Sequence, residues 1–597
     1  MRHLLLGLGL LMAVVAKLTA EPLAFTLEFA DGKTVASADL KKISGESLRE
    51  RFVSPDGTFA ATRRWIMAPG STYARTIVTV SNTGDTELLL RRIVLFDEDA
   101  ATLHGGTAQV VGEFSGSPVV TDRAFFGVEH PLAENSVAGG RVRCALPVMQ
   151  PLRPGETTGA SFVTGVYRAG QLRRQFQSYL ERERARPYGP FLHHNTWYSL
   201  GYFTRFSEKD ELALIKKIDR ELVTKRGVHV DGFVLDDGWD DPASLWRFNA
   251  GWPNGLKGMG LAVLKINAVP GLWLSPWGGY GAPKQARLAA AATEGYEVRD
   301  GSFSLAGTHY YERFSQLCMD AVRDDGVAFF KFDGIGSAEA TGKIDPAAGR
   351  DFNAMLRLIR DLRAVRPELY VSQTTGTWAS PWWLFHVDNI WRDGEDHDFA
   401  GKGTPRQQWI TYRDRETYRN VVQRGPLFPL NSVMLHGIIY AKKAKQLDRD
   451  PGKDFTSEVR SFFGTGTQLQ ELYLSPELLS KKNWDDLAVA AKWARDNAAT
   501  LRDVHWIGGD PGKLEVYGWA AWSREKGIVT LRNPSDQPAE YAFEAGAVFE
   551  LPPEAATAFR VSSPYPDSPA PFKRIEAGHT IKIPLKPFEV RVFECVP

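Results

Sequence analysis

Aspartates stand directly after apolar, strand-like runs at two places in the chain. Asp333 follows the run Phe329–Phe332, and Asp236 and Asp237 follow a similar run earlier in the sequence. Because side chains alternate along a strand, Lys331 and Asp333 project to the same side, and a lysine beside an aspartate favours the ionised carboxylate. Such a carboxylate serves as a nucleophile or accepts hydrogen bonds from sugar hydroxyls. The competing interpretation of one aspartate alone is a helix cap or a turn.

A third acidic group follows the run Ile390-Trp391-Arg392 and comprises Asp393, Glu395, Asp396 and Asp398. Carboxyls that crowd one another raise each other's pKa, which keeps a general acid protonated near neutral pH. Glycoside hydrolysis needs one ionised and one protonated carboxyl flanking the scissile bond, because its transition state resembles an oxocarbenium ion. From charge alone, the competing interpretation is a solvated acidic loop.

Motifs for other chemistries are incomplete. Gly464-Thr465-Gly466 lacks the Lys-Ser/Thr of a phosphate-binding loop and the spacing of a dinucleotide fingerprint. No Gly-x-Ser-x-Gly elbow accompanies a recognisable triad, and His193-His194 has no second histidine at helical metal-ligand spacing. We therefore expect neither a metal nor another cofactor.

The elements that must position these acids change in character along the chain. Short strand-like runs separated by Asn-Thr-Gly and Pro-Asp-Gly turns predict an N-terminal β-sandwich over residues 21–186, which closes with a linker helix from Leu172 to Ala185. Across residues 187–500, apolar runs alternate with amphipathic stretches such as Glu208 to Lys225, the pattern of a (β/α)8 TIM barrel. Strand-like alternation returns in residues 501–597 and predicts a small antiparallel C-terminal β-sandwich.

Candidate barrel strands can be assigned one by one. They lie at residues 195–198, 232–237, 271–276, 329–334, 369–374, 388–392, 427–430 and within 465–474. In a (β/α)8 barrel the active site forms at the carboxyl ends of the strands, which is where the acidic residues stand.

Net charge and composition limit the kinds of ligand and partner that we expect. The formal charge of +1, from 72 basic and 71 acidic side chains, gives no attraction for nucleic acid or an anionic membrane, so the expected ligand is neutral. Residues 1–20, with Arg2 and the apolar stretch from Leu4 to Ala16, have the pattern of a secretory signal. We expect an exported protein, periplasmic or secreted, with no membrane segment in its mature form. The three cysteines allow at most one disulfide, and the sequence leaves a homo-oligomer open.

Taken together, the motifs resemble glycoside hydrolase clan D, the α-galactosidase families 27 and 36. The resemblance rests on an ordered set of segments: Asp236-Asp237-Gly238-Trp239, the run 271–276, Lys331-Phe332-Asp333, and Trp391-Arg392 with Asp396. The order of sandwich, barrel and small β domain resembles family 36. The segment 374–378 departs from the family 27 pattern that recognises the sugar's second substituent.

The resemblance implies a role for each matched position. It makes Asp333 the nucleophile and Asp396 the acid/base, with sugar contacts from Lys331, Asp236, Asp237 and Arg392. Family 36 places its acid/base where this chain has Gly394, so the flanking Asp393 and Glu395 are the alternative acid/base residues. We expect apolar walls for the sugar ring from Trp197, Trp273 and Trp378.

The function implied is that of a retaining, exo-acting glycoside hydrolase that cleaves terminal α-linked sugars, α-galactosides above all, from an oligosaccharide or polysaccharide. Two alternatives stay open. One is a galactosyl transferase of the raffinose synthase type, which passes the sugar to an acceptor sugar. The other is a carbohydrate-binding protein without catalytic activity.

Overall fold

The computed structural model describes residues 23–46, 48–103, 106–335 and 345–597. The predicted secretory signal at residues 1–20 lies outside this part of the chain. Within it, none of the helices combines the length and the apolar character needed to cross a membrane. Cys144, Cys318 and Cys595 are all buried and unbridged.

Two antiparallel sheets form the N-terminal region. The first has the strand order Glu134–Ala138, Arg141–Pro147, Leu90–Asp99, Thr26–Phe29, Thr34–Ala36. The second has the order Lys41–Glu46, Arg49–Val53, Phe59–Ile66, Tyr73–Asn82, Thr157–Val166, Ala124–Val128, Val119–Val120, Gln109–Val110.

The two sheets pack face to face through their apolar sides. Phe96 of the first sheet stacks on Phe126 and Phe162 of the second, with ring centroids 5.3 and 5.2 Å apart. The linker helix, predicted from Leu172 to Ala185, spans Leu172–Glu183 and leads to the central region.

Parallel strands form the central region, and we label them in chain order. They are β1 (Phe191–Asn195), β2 (Gly232–Leu235), β3 (Val269–Leu274), β4 (Phe329–Phe332), β5 (Tyr370–Gln373), β6 (Ile390–Trp391), β7 (Val433–Met434), β8 (Ile438–Tyr440) and β9 (Leu469–Leu474). One seven-stranded sheet has the order β5-β4-β3-β2-β1-β9-β8, while β6 pairs with β7. A parallel bridge between Ser372 and Asn389 connects β5 to the residue before β6.

The seventh predicted strand was placed wrongly. Residues 427–430 form no strand, because Pro429 cannot donate a backbone hydrogen bond and the chain then turns through the short 3-10 helix Leu430–Ser432. The strand residues come later, as β7 and β8, and these are separated by residues 435–437. His436 and Gly437 in this break have left-handed φ angles of 61° and 48°.

Helices connect and cover the parallel strands. They span Glu208–Ile218, Lys257–Leu264, Gly281–Glu294, Thr308–Arg323, Pro346–Val365, Pro405–Thr417, Phe455–Gly464 and Lys481–Asp496. Their apolar faces join the strands in one large core that includes Phe233, Leu272 and Phe330. Because β2 to β4 are buried on both faces, their sequences read as nearly continuous apolar runs, whereas β1 and β5 are buried but also contain polar residues.

The C-terminal region is again antiparallel. Its six-stranded sheet has the order His505–Gly508, Tyr517–Trp522, Gly527–Arg532, Val590–Val596, Ala558–Ser562, Arg574–Glu576, and a second sheet pairs Ala539–Phe543 with Ile581–Leu585. A separate apolar core with residues from both sheets, among them Val529, Phe543 and Ile583, holds them together.

Candidate active site

A pocket of about 450 Å³ opens at the carboxyl ends of the parallel strands. Its walls combine carboxylates, a lysine, hydroxyls and aromatic rings, which are Trp197, Tyr198, Tyr202, Phe203, Asp236, Asp237, Trp273, Tyr280, Lys331, Asp333, Thr374, Thr375, Trp391, Gly394, Glu395, Asp396, His397, Met434 and His436. Most of the residues singled out in the sequence therefore meet in one place.

Asp333 is held by four neutral donors. Its Oδ2 accepts a hydrogen bond from the indole nitrogen of Trp273 at 3.0 Å, and its Oδ1 accepts one from the Thr374 hydroxyl at 2.6 Å. The hydroxyls of Thr375 and Tyr280 each lie 2.9 Å from the same Oδ1. Multiple donors fix the orientation of the carboxylate.

Lys331 contacts a different aspartate from the one that the sequence suggested. Its ammonium nitrogen lies 2.8 Å from Oδ2 of Asp236, which also accepts a hydrogen bond from Asn195 at 2.8 Å. Burial alone lowers the pKa of a lysine, but the charges of Asp236, Asp333 and Asp396 outweigh it, so the pKa of Lys331 is raised. A permanent positive charge thus lies among three carboxylates.

Asp237 has one free oxygen. Its Oδ1 accepts a hydrogen bond from buried Arg287 at 2.8 Å, and the same guanidinium is paired with Asp240 at 2.7 Å. Among the described residues, Oδ2 is buried without a partner. Burial raises the pKa of Asp237 to about 6, although Arg287 opposes the rise. The free oxygen is suited to accept a hydrogen bond from a ligand hydroxyl.

Asp396 faces a histidine. Its Oδ2 accepts a hydrogen bond from the indole nitrogen of Trp197 at 3.0 Å, and its Oδ1 lies 3.2 Å from Nε2 of His436. Burial alone raises the pKa of a carboxyl, but His436 and then Lys331 outweigh it, so the pKa of Asp396 is lowered. The sequence had suggested the opposite direction, from crowding by the neighbouring carboxylates.

The two alternative acids differ in position. Glu395 lines the pocket and is exposed. Asp393 is exposed outside the pocket lining, has a left-handed φ of 69°, and its side chain accepts a hydrogen bond from the amide of Gly394 at 2.8 Å.

Two residues predicted to contact the sugar lie outside the pocket lining. The guanidinium of Arg392 is buried and donates to the backbone carbonyls of Glu395 at 2.8 Å and Asp396 at 3.1 Å, so it shapes the loop that carries Asp396. Trp378 is also buried, and its indole nitrogen donates to the carbonyl of Ser115 in the N-terminal region at 2.9 Å. The expected wall from Trp378 is therefore incorrect, because its ring packs into the domain contact.

The polar residues of the pocket that sequence reasoning missed include Tyr280, Thr374, Thr375 and His436. Thr374 and Thr375 directly follow β5, so the rule that placed Asp333 at a strand end also applies to them. Tyr280 and His436 come from irregular segments whose course the apolar pattern does not show. The described residues contain no group of histidine, cysteine, aspartate and glutamate side chains arranged to hold a metal ion.

No family model and no curated protein matches this chain. Its fold is that of solved GH36 α-galactosidases, which agrees with the resemblance seen in the motifs. The GH36 α-galactosidase AgaA of Geobacillus stearothermophilus superposes with a TM-score of 0.63 at 13% identity, covering 96% of this chain and 89% of that one. A variant of AgaA in complex with raffinose gives the same values. The α-galactosidase of Lactobacillus brevis also gives 0.63 at 13% identity, covering 96% and 87% of the two chains.

Proposed function

We propose that this chain is a retaining, exo-acting glycoside hydrolase that removes terminal α-linked sugars, with α-galactosides as the substrate class. One observation carries the proposal: Asp333 and Asp396 line the same pocket, and each has one carboxylate oxygen bound by a tryptophan N–H. Two carboxyls in one pocket are the minimum that glycoside hydrolysis requires. The fold shared with GH36 α-galactosidases favours the α-galactoside class.

We interpret the parallel strands as a (β/α)8 barrel whose seventh strand is interrupted, with β7 and β8 as its two pieces. The pairings support this, since β7 pairs with β6 and β8 pairs with β9, as the two sides of one strand would. On this interpretation the barrel covers residues 187–500, flanked by the sandwiches of residues 21–186 and 501–597. The chain acts outside the cytoplasm after export by residues 1–20.

In the first step, a carboxylate oxygen of Asp333 attacks the anomeric carbon. The bond from this carbon to the leaving oxygen breaks, and the leaving oxygen takes a proton from Asp396. The hydroxyls of Tyr280, Thr374 and Thr375 keep the attacking carboxylate in one orientation. The product of this step is a sugar ester of Asp333.

In the second step, water attacks the same carbon from the side of Asp396, which accepts the proton of the water. The bond to Asp333 breaks and its carboxylate is restored, so the sugar leaves with its original anomeric configuration. Asp236, the free oxygen of Asp237 and the ammonium of Lys331 bind the hydroxyls of the sugar. Trp197 and Trp273 provide the apolar walls.

Turnover of a panel of α-linked nitrophenyl glycosides tests the proposal. We expect the purified protein to release nitrophenol from the α-galactoside, and Asp333→Asn to lower kcat/KM by a factor of ~10⁴ or more, because the nucleophile is lost. Binding of saccharides without turnover of any glycoside would instead support a carbohydrate-binding protein. Formation of longer saccharides in the presence of an acceptor sugar would support a transferase.

The acid/base assignment has its own test. Asp396→Asn should lower kcat/KM by ~10²–10⁴ for substrates with poor leaving groups and much less for activated aryl groups, which need little protonation. Asp393→Asn is the matched control, since it removes a neighbouring carboxylate that does not line the pocket. Glu395→Gln tests the remaining acid of this loop. If either control shows the dependence on leaving group and Asp396→Asn does not, the assignment to Asp396 is wrong.

A further inference from the structure

The imidazole of His436 is buried directly against the carboxylate of Asp396. Its Nε2 lies at the ion-pair distance of 3.2 Å from Oδ1 of Asp396, neither ring nitrogen has an aligned hydrogen-bond partner among the described residues, and only 2% of the residue is exposed. His436 stands in the break between β7 and β8, where its left-handed φ of 61° turns the side chain out of the strand pattern. A non-glycine residue in this conformation costs free energy, and functional sites are one place where such residues cluster.

Of the groups around the His436 ring, Asp396 is the carboxylate in contact with it. Tyr473 on β9 stacks on it at 5.8 Å and donates to Glu471 at 2.8 Å, so this hydroxyl is engaged elsewhere. His397 in the loop after β6 and Glu471 on β9 are the other titratable groups whose charges interact with that of His436. Among the described residues, Asp396 is the one carboxylate within 4.0 Å of a nitrogen of His436.

We propose, on the basis of the function proposed above, that His436 and Asp396 hold one proton between them and act as a single acid/base unit. In the resting pair the proton is on Nε2, and Asp396 is a carboxylate. His436 is thus a positioning residue for the proton, because it acts on the substrate through Asp396.

The pair gives up one proton in the first step of the reaction and takes one back in the second. When the bond to the leaving oxygen breaks, the proton passes from Nε2 to Asp396 and from Asp396 to the leaving oxygen, which leaves a neutral ring. When water attacks the sugar ester of Asp333, its proton passes to Asp396 and back to Nε2. The lowered pKa of Asp396, caused by His436, agrees with a carboxylate in the resting pair. Two groups coupled in this way titrate as a unit.

The pH profile of kcat/KM tests the pair. A coupled pair titrates with pKa values that belong to both groups together, so removing the imidazole changes the pH at which the acid/base loses its proton. We expect His436→Gln to move the alkaline limb of the profile to lower pH by at least about one pH unit, and activity at pH 7 on poor leaving groups to fall about tenfold or more.

The chain offers a matched control. His229 lies 3.2 Å from Asp231, the same distance as in the pair, but outside the pocket. His229→Gln should leave the pH profile unchanged. An alkaline limb that His436→Gln does not move overturns the proposal. The same holds if the variant raises KM equally at every pH, which would make His436 a simple sugar contact. His436→Asn is the substitute if the glutamine variant fails to fold.

A second measurement is independent of turnover. In the full chain labelled with [¹³C]carboxyl aspartate, the Asp396 signal, assigned by its loss in Asp396→Asn, should titrate at higher pH in His436→Gln than in the unmodified protein. An unmoved signal overturns the pair. If the unmodified protein hydrolyses no α-glycoside, the proposed function fails, and this titration still decides whether the pair exists.

Discussion

Each aspartate of the pocket has its own hydrogen-bond and ion-pair partners. Asp236 is neutralised by Lys331 at 2.8 Å, whereas Asp333 receives hydrogen bonds from neutral groups. Asp237 shares Arg287 with Asp240, so the charge of Arg287 offsets only part of the rise in pKa that burial causes in Asp237. Four aspartates in one small pocket therefore behave differently, which a sequence pattern of aspartates alone does not show.

The raised pKa of Asp237 predicts a pH-dependent stability. Burial raises this pKa from 3.8 to about 6, so the folded protein binds the proton more tightly than the unfolded chain. The associated stability is fully present below pH 3.8 and is lost as the pH rises through 6. The free energy of unfolding of the unmodified protein, relative to Asp237→Asn, should fall by ~3 kcal/mol between pH 3.5 and 7.

Urea unfolding at several pH values measures this difference. Asp300→Asn is the control, because the side chain of Asp300 is 78% exposed and its replacement should have no such pH dependence. A difference between the unmodified protein and Asp237→Asn that stays constant over this range would contradict the prediction.

The elements explain how much of the site the sequence predicted. Asp236, Asp237 and Asp333 were predictable because each stands at the end of an apolar run, and parallel strands bring their carboxyl ends together. The break between β7 and β8 was not predictable, since a left-handed backbone leaves no mark on the apolar pattern. The apolar run at 427–430 misled the assignment because burial alone does not distinguish a strand from a turn.

Gly437 maintains the break between β7 and β8. A Cβ at this position would lie 2.1 Å from the backbone carbonyl oxygen of Glu471 on the neighbouring strand, and the φ of 48° also disfavours other residues. A backbone atom cannot move aside as a flexible side chain can. Gly437→Ala should therefore lower the free energy of unfolding by several kcal/mol and displace His436.

Thermal unfolding compares this variant with Gly139→Ala. Gly139 has a similar φ of 57° but no atom within 4 Å of an added Cβ, so only the backbone strain, ~1 kcal/mol, is expected. Equal losses in Tm for the two variants would show that the close approach to Glu471 does not matter.

Polar contacts that are buried or largely buried connect the regions of the molecule. Asp503, whose side chain is 14% exposed, binds both Arg173 and Arg174 of the linker helix at 3.1 and 3.0 Å. In the C-terminal region, buried Arg532 donates to the hydroxyl of Thr411 at 3.0 Å and to the backbone carbonyl of Gln407 at 2.9 Å, both in the helix Pro405–Thr417. The linker helix therefore contacts the final domain as well as connecting the first two.

Asp503→Ala should destabilise the full chain by ~3–5 kcal/mol, because two largely buried guanidinium groups lose their carboxylate. The melting temperature of the full chain measures this. Asp567→Ala is the control: its side chain is 63% exposed and pairs with Arg460, so the loss should stay below ~1 kcal/mol. Similar melting temperatures for the two variants would rule out a stabilising role for the linker contact.

The contact of Trp378 with Ser115 has a consequence for the evolution of this chain. The loop that begins with Thr374 and Thr375 donates hydrogen bonds from both hydroxyls to Asp333. The same loop is attached to the N-terminal region at Trp378, whose indole nitrogen donates to the carbonyl of Ser115. Sequence changes around Ser115 should therefore displace the loop that binds Asp333, although this segment does not line the pocket. The proposed function then predicts that screening for altered turnover finds effective substitutions around Ser115, outside the pocket lining.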